Sequence, residues 1–543
     1  MPIKPWYYWF VLLLLLPALL INLGLLAFIE DEGIRALVAL EMDWSGQFIA
    51  PTLHGEFYYN KPPLWNWIIL GFNHLLGRVN EWSARLPNVL GLLGFAGTVF
   101  LVQRRRHGNA AALLQALMLI TGFRVLIRES MLGLIDITFS WSMYGLFTVV
   151  YHYGEQRRWG RLFLFSYLLM VVGFMFKGLP AIAFQGLTLL TYLVLVGEWR
   201  RLFGWRHILS GALAVALLGS YYFAYHQYNS LDNVVQALFF ESGKRTAANN
   251  SLGEVVVHLL TFPFDDFLFH FLPWTLLVFY GLKRGAWAHL RQDRATWIGG
   301  WLLLVNLLPY WLSPDVFPRY FLMFLPLLFA VLWNWHDWHQ RQQSRLFLAQ
   351  FYLFGGMVGI LAVAAWLPLF LARAQETPGY VWKTLLTALP LALIAWQYWS
   401  DRDHNLWWLA AALLVFRISF NWFVLPDRVA NDFGQVMKES ATGVGERWQG
   451  RELAVFHESF MQPASSFYLE RAYGGIIPVA DSTEWRAGRI YLYNSLQYAP
   501  VLFEPPLDSF PGRHSGAIYR IARLRTANLD TIRAHTLAEP LTY

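Results

Sequence analysis

The chain has 543 residues, of which 56% are hydrophobic, 17% aromatic and only 14% charged. Few soluble cores have that balance, so an ordinary water-soluble enzyme is excluded for most of the length. The net charge of +7 does not indicate nucleic acid, because the basic residues stand in short clusters between apolar stretches, and zero Cys removes disulfides, thiolate metal sites and cysteine nucleophiles.

The N-terminus, Met1-Pro2-Ile3-Lys4-Pro5-Trp6, leads into an apolar run with no small-residue cleavage site before Glu30, which predicts an uncleaved first span. Further apolar runs lie near 85–103, 108–127, 134–153, 162–178, 180–197, 206–226, 265–283, 297–313, 319–335, 347–371, 381–399 and 406–425, the first being 8–28. A hydrocarbon core takes about 20 apolar residues per helix, so about thirteen transmembrane helices are expected. Twenty-seven Trp and 26 Tyr suit the headgroup level on either side.

With Lys4 cytoplasmic, alternate loops should be rich in Lys and Arg. They carry Arg104-Arg105-Arg106, Arg157-Arg158 with Arg161, Arg200-Arg201 with Arg206, Lys283-Arg284 with Arg291 and Arg294, and Arg341 with Arg345. The long loops 29–84 and 227–264 then fall outside, together with everything after 426. Residues 427–543 bring charge, the turn Tyr473-Gly474-Gly475 and the β-prone runs Glu452–Phe456 and Arg489–Tyr493. The expected architecture is an all-α polytopic membrane part, 1–426, followed by a small α/β soluble domain, 427–543.

Loop 29–84 opens Glu30-Asp31-Glu32-Gly33-Ile34-Arg35 and continues at helical spacing to Met42, predicting a short amphipathic helix along the interface. Carboxylates complement a helix N-terminus, but three in a row exceed what capping requires. The loop then reads Pro51-Thr52-Leu53-His54-Gly55-Glu56-Phe57-Tyr58-Tyr59-Asn60-Lys61-Pro62-Pro63, where the prolines predict extended backbone beside Lys61. A Lys near a membrane usually snorkels; in a rigid setting on the face of the acidic cluster it fits a bound anion. Asp136 and Lys177 lie at or inside apolar runs, where a charge costs about 2.5–3.5 kcal/mol, so they face a cavity or pair with each other. Arg128 and Glu129 suggest a local ion pair. His54, His258 and His270 share no metal-ligand spacing, and structural roles are expected for them.

These residues resemble the polyprenyl-phosphate-dependent glycosyltransferases of the GT-C fold, close to the lipid A aminoarabinose transferases and the protein O-mannosyltransferase superfamily. The resemblance rests on the Asp31-Glu32 pair opening the first outer loop, Arg35 after it and Lys61-Pro62-Pro63 further on. It extends to Arg85-Leu86-Pro87, Asp136, Phe176-Lys177-Gly178, Phe262-Pro263 with Leu272-Pro273-Trp274, and Pro318-Arg319-Tyr320. Two positions depart: Arg35 stands one position later than in the aminoarabinose transferases, and Asn60 replaces an acidic residue linked there to a metal site. A divalent metal stays possible but is not supported by the motif, and no cofactor is certain from the sequence.

The resemblance implies a multi-pass protein of the bacterial inner membrane, embedded in membrane lipids, that moves a sugar from an undecaprenyl-phosphate-type donor to a lipid A-like or other cell-envelope acceptor on the periplasmic face. Such transfer needs a carboxylate that takes or orients the acceptor proton, for which Asp31 and then Glu32 are the candidates. It also needs positive charge on the departing phosphate, for which Arg35, Lys61, Lys244, Arg245, Arg319 and the Tyr320 hydroxyl are candidates. Asp136, Lys177 and Tyr59 form a second tier. Lys244-Arg245 could otherwise be a solvated basic turn. A transporter or flippase of lipid-linked saccharides shares the composition, but no clear internal repeat is evident and the candidate residues cluster in outer loops, not at mid-span.

Overall fold

The computed structural model describes residues 4–29, 31–243, 252–313, 315–456, 459–512 and 516–537. Lys244 and Arg245 lie outside the described residues, and so does Glu30. The chain is helical up to Asn431, and its five-stranded sheet lies wholly after Leu453. Helices α1 (Pro5–Leu20), α2 (Glu32–Ser45), α3 (Leu64–Leu76) and α4 (Glu81–Thr121) build the part that positions the site.

Among the described residues, five helices are long and apolar enough to cross a membrane: Glu81–Thr121, Trp159–Lys177, Trp205–His226, Arg345–Leu369 and Arg402–Asn431. Pro5–Leu20 and Pro180–Leu195 are shorter apolar helices. Their outward faces carry Leu13, Phe223, Val215 and Ile360, all at least 70% exposed, as expected where lipid tails replace water. Gly108, at φ +78°, breaks α4 just past Arg104-Arg105-Arg106, so the two apolar runs on either side form two helices meeting at a basic corner.

The run 265–283 departs from the expected straight span. It forms a π-helical turn over Pro263–Leu268 and 3₁₀ turns over Phe269–Phe271 and Trp274–Leu282. Pro263 and Pro273 each remove a backbone donor and clash with a preceding carbonyl, which disrupts an α-helix. Neighbours satisfy the freed groups: Phe123 N donates to Leu272 O (2.8 Å) and Thr275 Oγ1 to Leu268 O (2.6 Å).

After the helix Phe433–Trp448, strands β3 (Ala454–Phe456), β4 (Val479–Ala480), β5 (Ile490–Asn494), β6 (Asp508–Pro511) and β7 (Ile518–Arg523) form a sheet in the order β4-β3-β5-β7-β6. A two-stranded ribbon, β1 (Thr52–Leu53) with β2 (Glu56–Phe57), lies in the first long loop. β3 runs parallel to β4 and β5, while β7 is antiparallel to β5 and β6. One face buries its own cluster, including Phe456, Tyr491, Tyr493 and Phe503. The other joins the membrane part in one continuous core, through Val455, Leu492, Tyr519 and Ile521.

That docking corrects the setting expected for α2. The helix forms where the spacing predicts, but Gly33 and every residue from Arg35 to Met42 are buried, because α3 covers one side and the helix Pro463–Tyr473 the other. A Cβ on Gly33 would sit 2.5 Å from Ala464 N and 2.8 Å from Ala464 Cα, both backbone atoms that no rotamer change can move. Gly33→Ala is expected to destabilise the protein by about 1–3 kcal/mol, seen as a lower unfolding midpoint in detergent and faster proteolysis near residue 463. The backbone at Pro63 also differs from the expected extension: with φ −87° and ψ −1° it already turns into α3.

Candidate active site

Asp31 is the N-cap of α2, and its carboxylate makes no capping bond. The side chain is 48% exposed and accepts from Arg319 Nη2 at 3.1 Å. Arg319 comes from a 3₁₀ turn, Pro318–Phe324, whose proline pre-sets the first φ. The Arg319 guanidinium reaches a second carboxylate, Asp136 Oδ2, through Nε at 3.6 Å. Asp136 opens the helix Asp136–Glu155, and Lys177 closes the helix Trp159–Lys177, so each charge complements its helix dipole. Lys177 Nζ donates to Asp136 Oδ1 at 2.5 Å and lies over the Tyr320 ring, 3.7 Å from its centroid. The two intramembrane charges thus pair with each other, and through Arg319 they join Asp31 from elements 288 positions apart.

Four residues after Asp31, Arg35 is buried at 4% exposure. Its Nη1 donates to the neutral Tyr58 hydroxyl at 2.6 Å, and it pairs with no carboxylate among the described residues. It is within electrostatic reach of Asp136. Arg35 thus adds a further buried cation beside the Asp31–Arg319–Asp136–Lys177 chain.

Glu32 stands apart from this group. It is 1% exposed, and Arg85 grips both oxygens, Nε to Oε1 at 2.8 Å and Nη2 to Oε2 at 3.0 Å. The Gly133 amide donates to Oε1 at 2.6 Å and the Ile29 amide to Oε2 at 3.1 Å. With both oxygens occupied and no solvent access, its geometry is that of a brace between α2, α4 and the Gly133 turn, not of a base facing a substrate.

Lys61 is partly buried and leads into α3. In the first turn of that helix, Asn66 Nδ2 donates to Arg35 O (3.1 Å) and Trp65 Nε1 to Gly133 O (2.9 Å), which ties the Lys61 segment to the Arg35 region. The Tyr59 hydroxyl accepts from Asn229 Nδ2 at 2.8 Å and Asn233 Nδ2 at 3.2 Å, fastening the first long loop to the second. Tyr320 is buried and offers its ring to Lys177. Glu129 takes Arg124 Nε at 2.7 Å. Burial pushes the Glu129 carboxyl up, with Arg124 opposing. Arg124 escaped the sequence reading because it lies at the end of an apolar run with no acidic neighbour.

Around Asn60 no set of carboxylates and imidazoles converges among the described residues. These residues do not fit a metal at that position, and no step is routed through one.

Residues 60–224 match the family model described as dolichyl-phosphate-mannose-protein mannosyltransferase. The fold aligns over 96% of this chain and 98% of ArnT from Cupriavidus metallidurans, solved bound to undecaprenyl phosphate, with a TM-score of 0.68 at 18% identity. The chain has the GT-C glycosyltransferase fold. Among curated relatives, an uncharacterised protein of Aquifex aeolicus is 26% identical over 284 residues, and the match spans about half of each protein, 50% of this chain and 53% of the relative. An undecaprenyl phosphate-alpha-4-amino-4-deoxy-L-arabinose arabinosyl transferase of Pseudomonas paraeruginosa is 27% identical over 401 residues, 71% of each chain. Within this GT-C chain, the Asp31–Arg319 pair and Arg35 sit at the start of α2, where the first long loop, the Gly133 turn and the Pro318–Phe324 turn meet.

Proposed function

We propose that this protein transfers a sugar from an undecaprenyl-phosphate-linked donor to a lipid A-like or other cell-envelope acceptor at the periplasmic face of the bacterial inner membrane. The observation that carries the reading is a half-exposed carboxylate, Asp31, standing beside a buried cation, Arg35, at the start of one helix. The first suits an acceptor that must lose a proton; the second suits a lipid phosphate. In this reading the chain crosses the membrane about thirteen times with its N-terminus cytoplasmic. Residues 1–426 form the transferase body, and 427–543 form a periplasmic domain docked on α2.

The acceptor's hydroxyl or amine attacks the anomeric carbon while the bond from that carbon to the phosphate oxygen breaks. Asp31 takes or orients the acceptor proton. Arg319 holds the Asp31 carboxylate in place through its contact at 3.1 Å. Undecaprenyl phosphate leaves with the bonding electrons, and its growing charge is met by Arg35, Arg319 and Lys61, with Lys244 and Arg245 of the second loop as further candidates. Lys177 and Asp136 set the Arg319 guanidinium, and Glu32 orients α2 through Arg85. Attack from the face opposite the phosphate inverts the anomeric centre.

Lys61→Ala is expected to raise the donor KM about ten- to a hundredfold with a smaller change in turnover, the scale of one lost charge-assisted hydrogen bond, about 1.5–3 kcal/mol. Steady-state kinetics against donor concentration checks it. The function itself is tested by mass spectrometry of envelope glycolipids from a deletion strain. Loss of one sugar modification with accumulation of its lipid-linked donor, restored by the wild type and not by Asp31→Asn, supports transfer. A lipid-linked saccharide retained on the cytoplasmic leaflet, with restoration by Asp31→Asn, would instead identify a transporter.

A further inference from the structure

Away from the reaction site, α2 meets the helix Pro463–Tyr473 at a second cluster of charged groups that the proposed mechanism does not use. Glu41, His54 and Glu470 come from α2, the ribbon turn of the first loop and the docked C-terminal helix, and each is at most 3% exposed. One ligand-capable atom from each lies within 4.8 Å of the others. His54 Nδ1 is 3.1 Å from Glu470 Oε1, with the Ile477 carbonyl oxygen 3.3 Å from the same nitrogen. His54 Nε2 contacts Ser466 Oγ at 2.9 Å.

Glu41 holds the turn: Oε1 accepts from His54 N (2.5 Å), and Oε2 from Thr52 Oγ1 (2.6 Å) and Gly55 N (3.1 Å). Glu470 is different. Its Oε1 accepts from Ile477 N at 3.1 Å, while Oε2, in a residue with no exposure, has no hydrogen-bond partner among the described residues. Two carboxylates and one imidazole thus meet in a buried joint, and Glu470 Oε2 has no partner among the described residues. Structural polar groups in that position normally have a ligand.

We infer that Glu41, His54 and Glu470 form a buried site for a divalent transition-metal ion of the zinc class, which fastens the C-terminal domain to the first outer loop. The donor chemistry favours that class: an imidazole with carboxylates suits zinc and its neighbours, whereas calcium and magnesium take oxygen alone. A doubly charged ion makes the trio neutral when His54 is neutral. Two bonds of about 2.1 Å to His54 Nδ1 and Glu470 Oε1 subtend the observed 3.1 Å at close to a right angle, and a Glu41 oxygen lies within 4.8 Å of the other ligand atoms. Metal-bound imidazoles donate their other N–H to a fixed acceptor, and Ser466 Oγ stands at that nitrogen. His54 itself is held at φ +55°, an unusual conformation for a non-glycine residue that aims its ring into the joint.

The test is made on the full-length protein purified in detergent with a tag that binds no metal. Plasma mass spectrometry is expected to find stoichiometric zinc, and phenanthroline to remove it with a fall in the unfolding midpoint that added zinc reverses. His54→Ala and Glu470→Gln are expected to cut bound zinc at least tenfold. Ser466→Ala, which leaves every ligand in place, should weaken zinc affinity about 10–100-fold in competition with a chromophoric chelator. A folded wild-type protein whose midpoint neither chelator nor zinc moves overturns the site. So does Ser466→Ala with unchanged zinc affinity, a result that decides the matter even where His54→Ala does not fold.

Discussion

Asp31→Asn is expected to leave a folded protein whose turnover falls by about 10²–10⁴-fold, the range lost with a positioned acid–base group. The amide keeps the size of the carboxylate and can still meet Arg319 Nη2 through its oxygen, so the Pro318–Phe324 turn and α2 keep their places. What disappears is the proton-accepting group and one negative charge beside Arg319. Donor binding should hold or tighten slightly, because Arg319 then offers more of its charge to the lipid phosphate. Turnover and donor KM measured together separate this from a folding defect, in which less active protein would be recovered at an unchanged turnover per folded molecule.

The neighbouring carboxylate should behave in the opposite way. Glu32→Ala is expected to cost about 3–5 kcal/mol of stability, because it strands the Arg85 guanidinium at 1% exposure. Arg85 also donates to the carbonyls of Leu23 (3.0 Å) and Leu26 (2.9 Å), so losing its anchor loosens the segment that joins α1 to α2. Glu32→Gln keeps much of the shape and should give a folded but less stable enzyme whose turnover per folded molecule stays within about tenfold of wild type. Unfolding midpoints by intrinsic fluorescence, set against turnover for the same preparations, distinguish the brace from the reacting group. An Arg85→Met, Glu32→Met pair should recover part of the stability that either single change loses.

Asp31 and Glu32 show where sequence stops. Adjacent carboxylates at a helix start are equivalent on paper, and the choice between them is made by a rotation of about 100° per residue, which leaves Asp31 at the cap and turns Glu32 toward Arg85. The element positions were legible because each apolar run must satisfy its backbone within itself, and that leaves a helix almost everywhere such a run occurs. The stretch 265–283 fails for a readable reason: Phe262-Pro263 just before it and Leu272-Pro273 within it are visible breakers of an otherwise apolar run. Lys177 and Asp136 were expected to pair or face a cavity, and they pair. That Arg319 joins them to Asp31 depends on a contact across most of the chain, which no local pattern encodes. The same limit hid the partners of His54, since Glu41 precedes it in another element and Glu470 belongs to a helix that local spacing never brings near. The burial of α2 went unforeseen because its second cover is that same docked helix.

The most direct test uses purified full-length protein and total lipid from the deletion strain, which holds both accumulated donor and unmodified acceptor. Incubation with the wild type should release undecaprenyl phosphate and glycosylated acceptor in equal amounts, while Asp31→Asn gives neither above background. Equal product from wild type and Asp31→Asn, or donor consumed with no glycosylated acceptor formed, would contradict transfer at the Asp31–Arg319–Arg35 site.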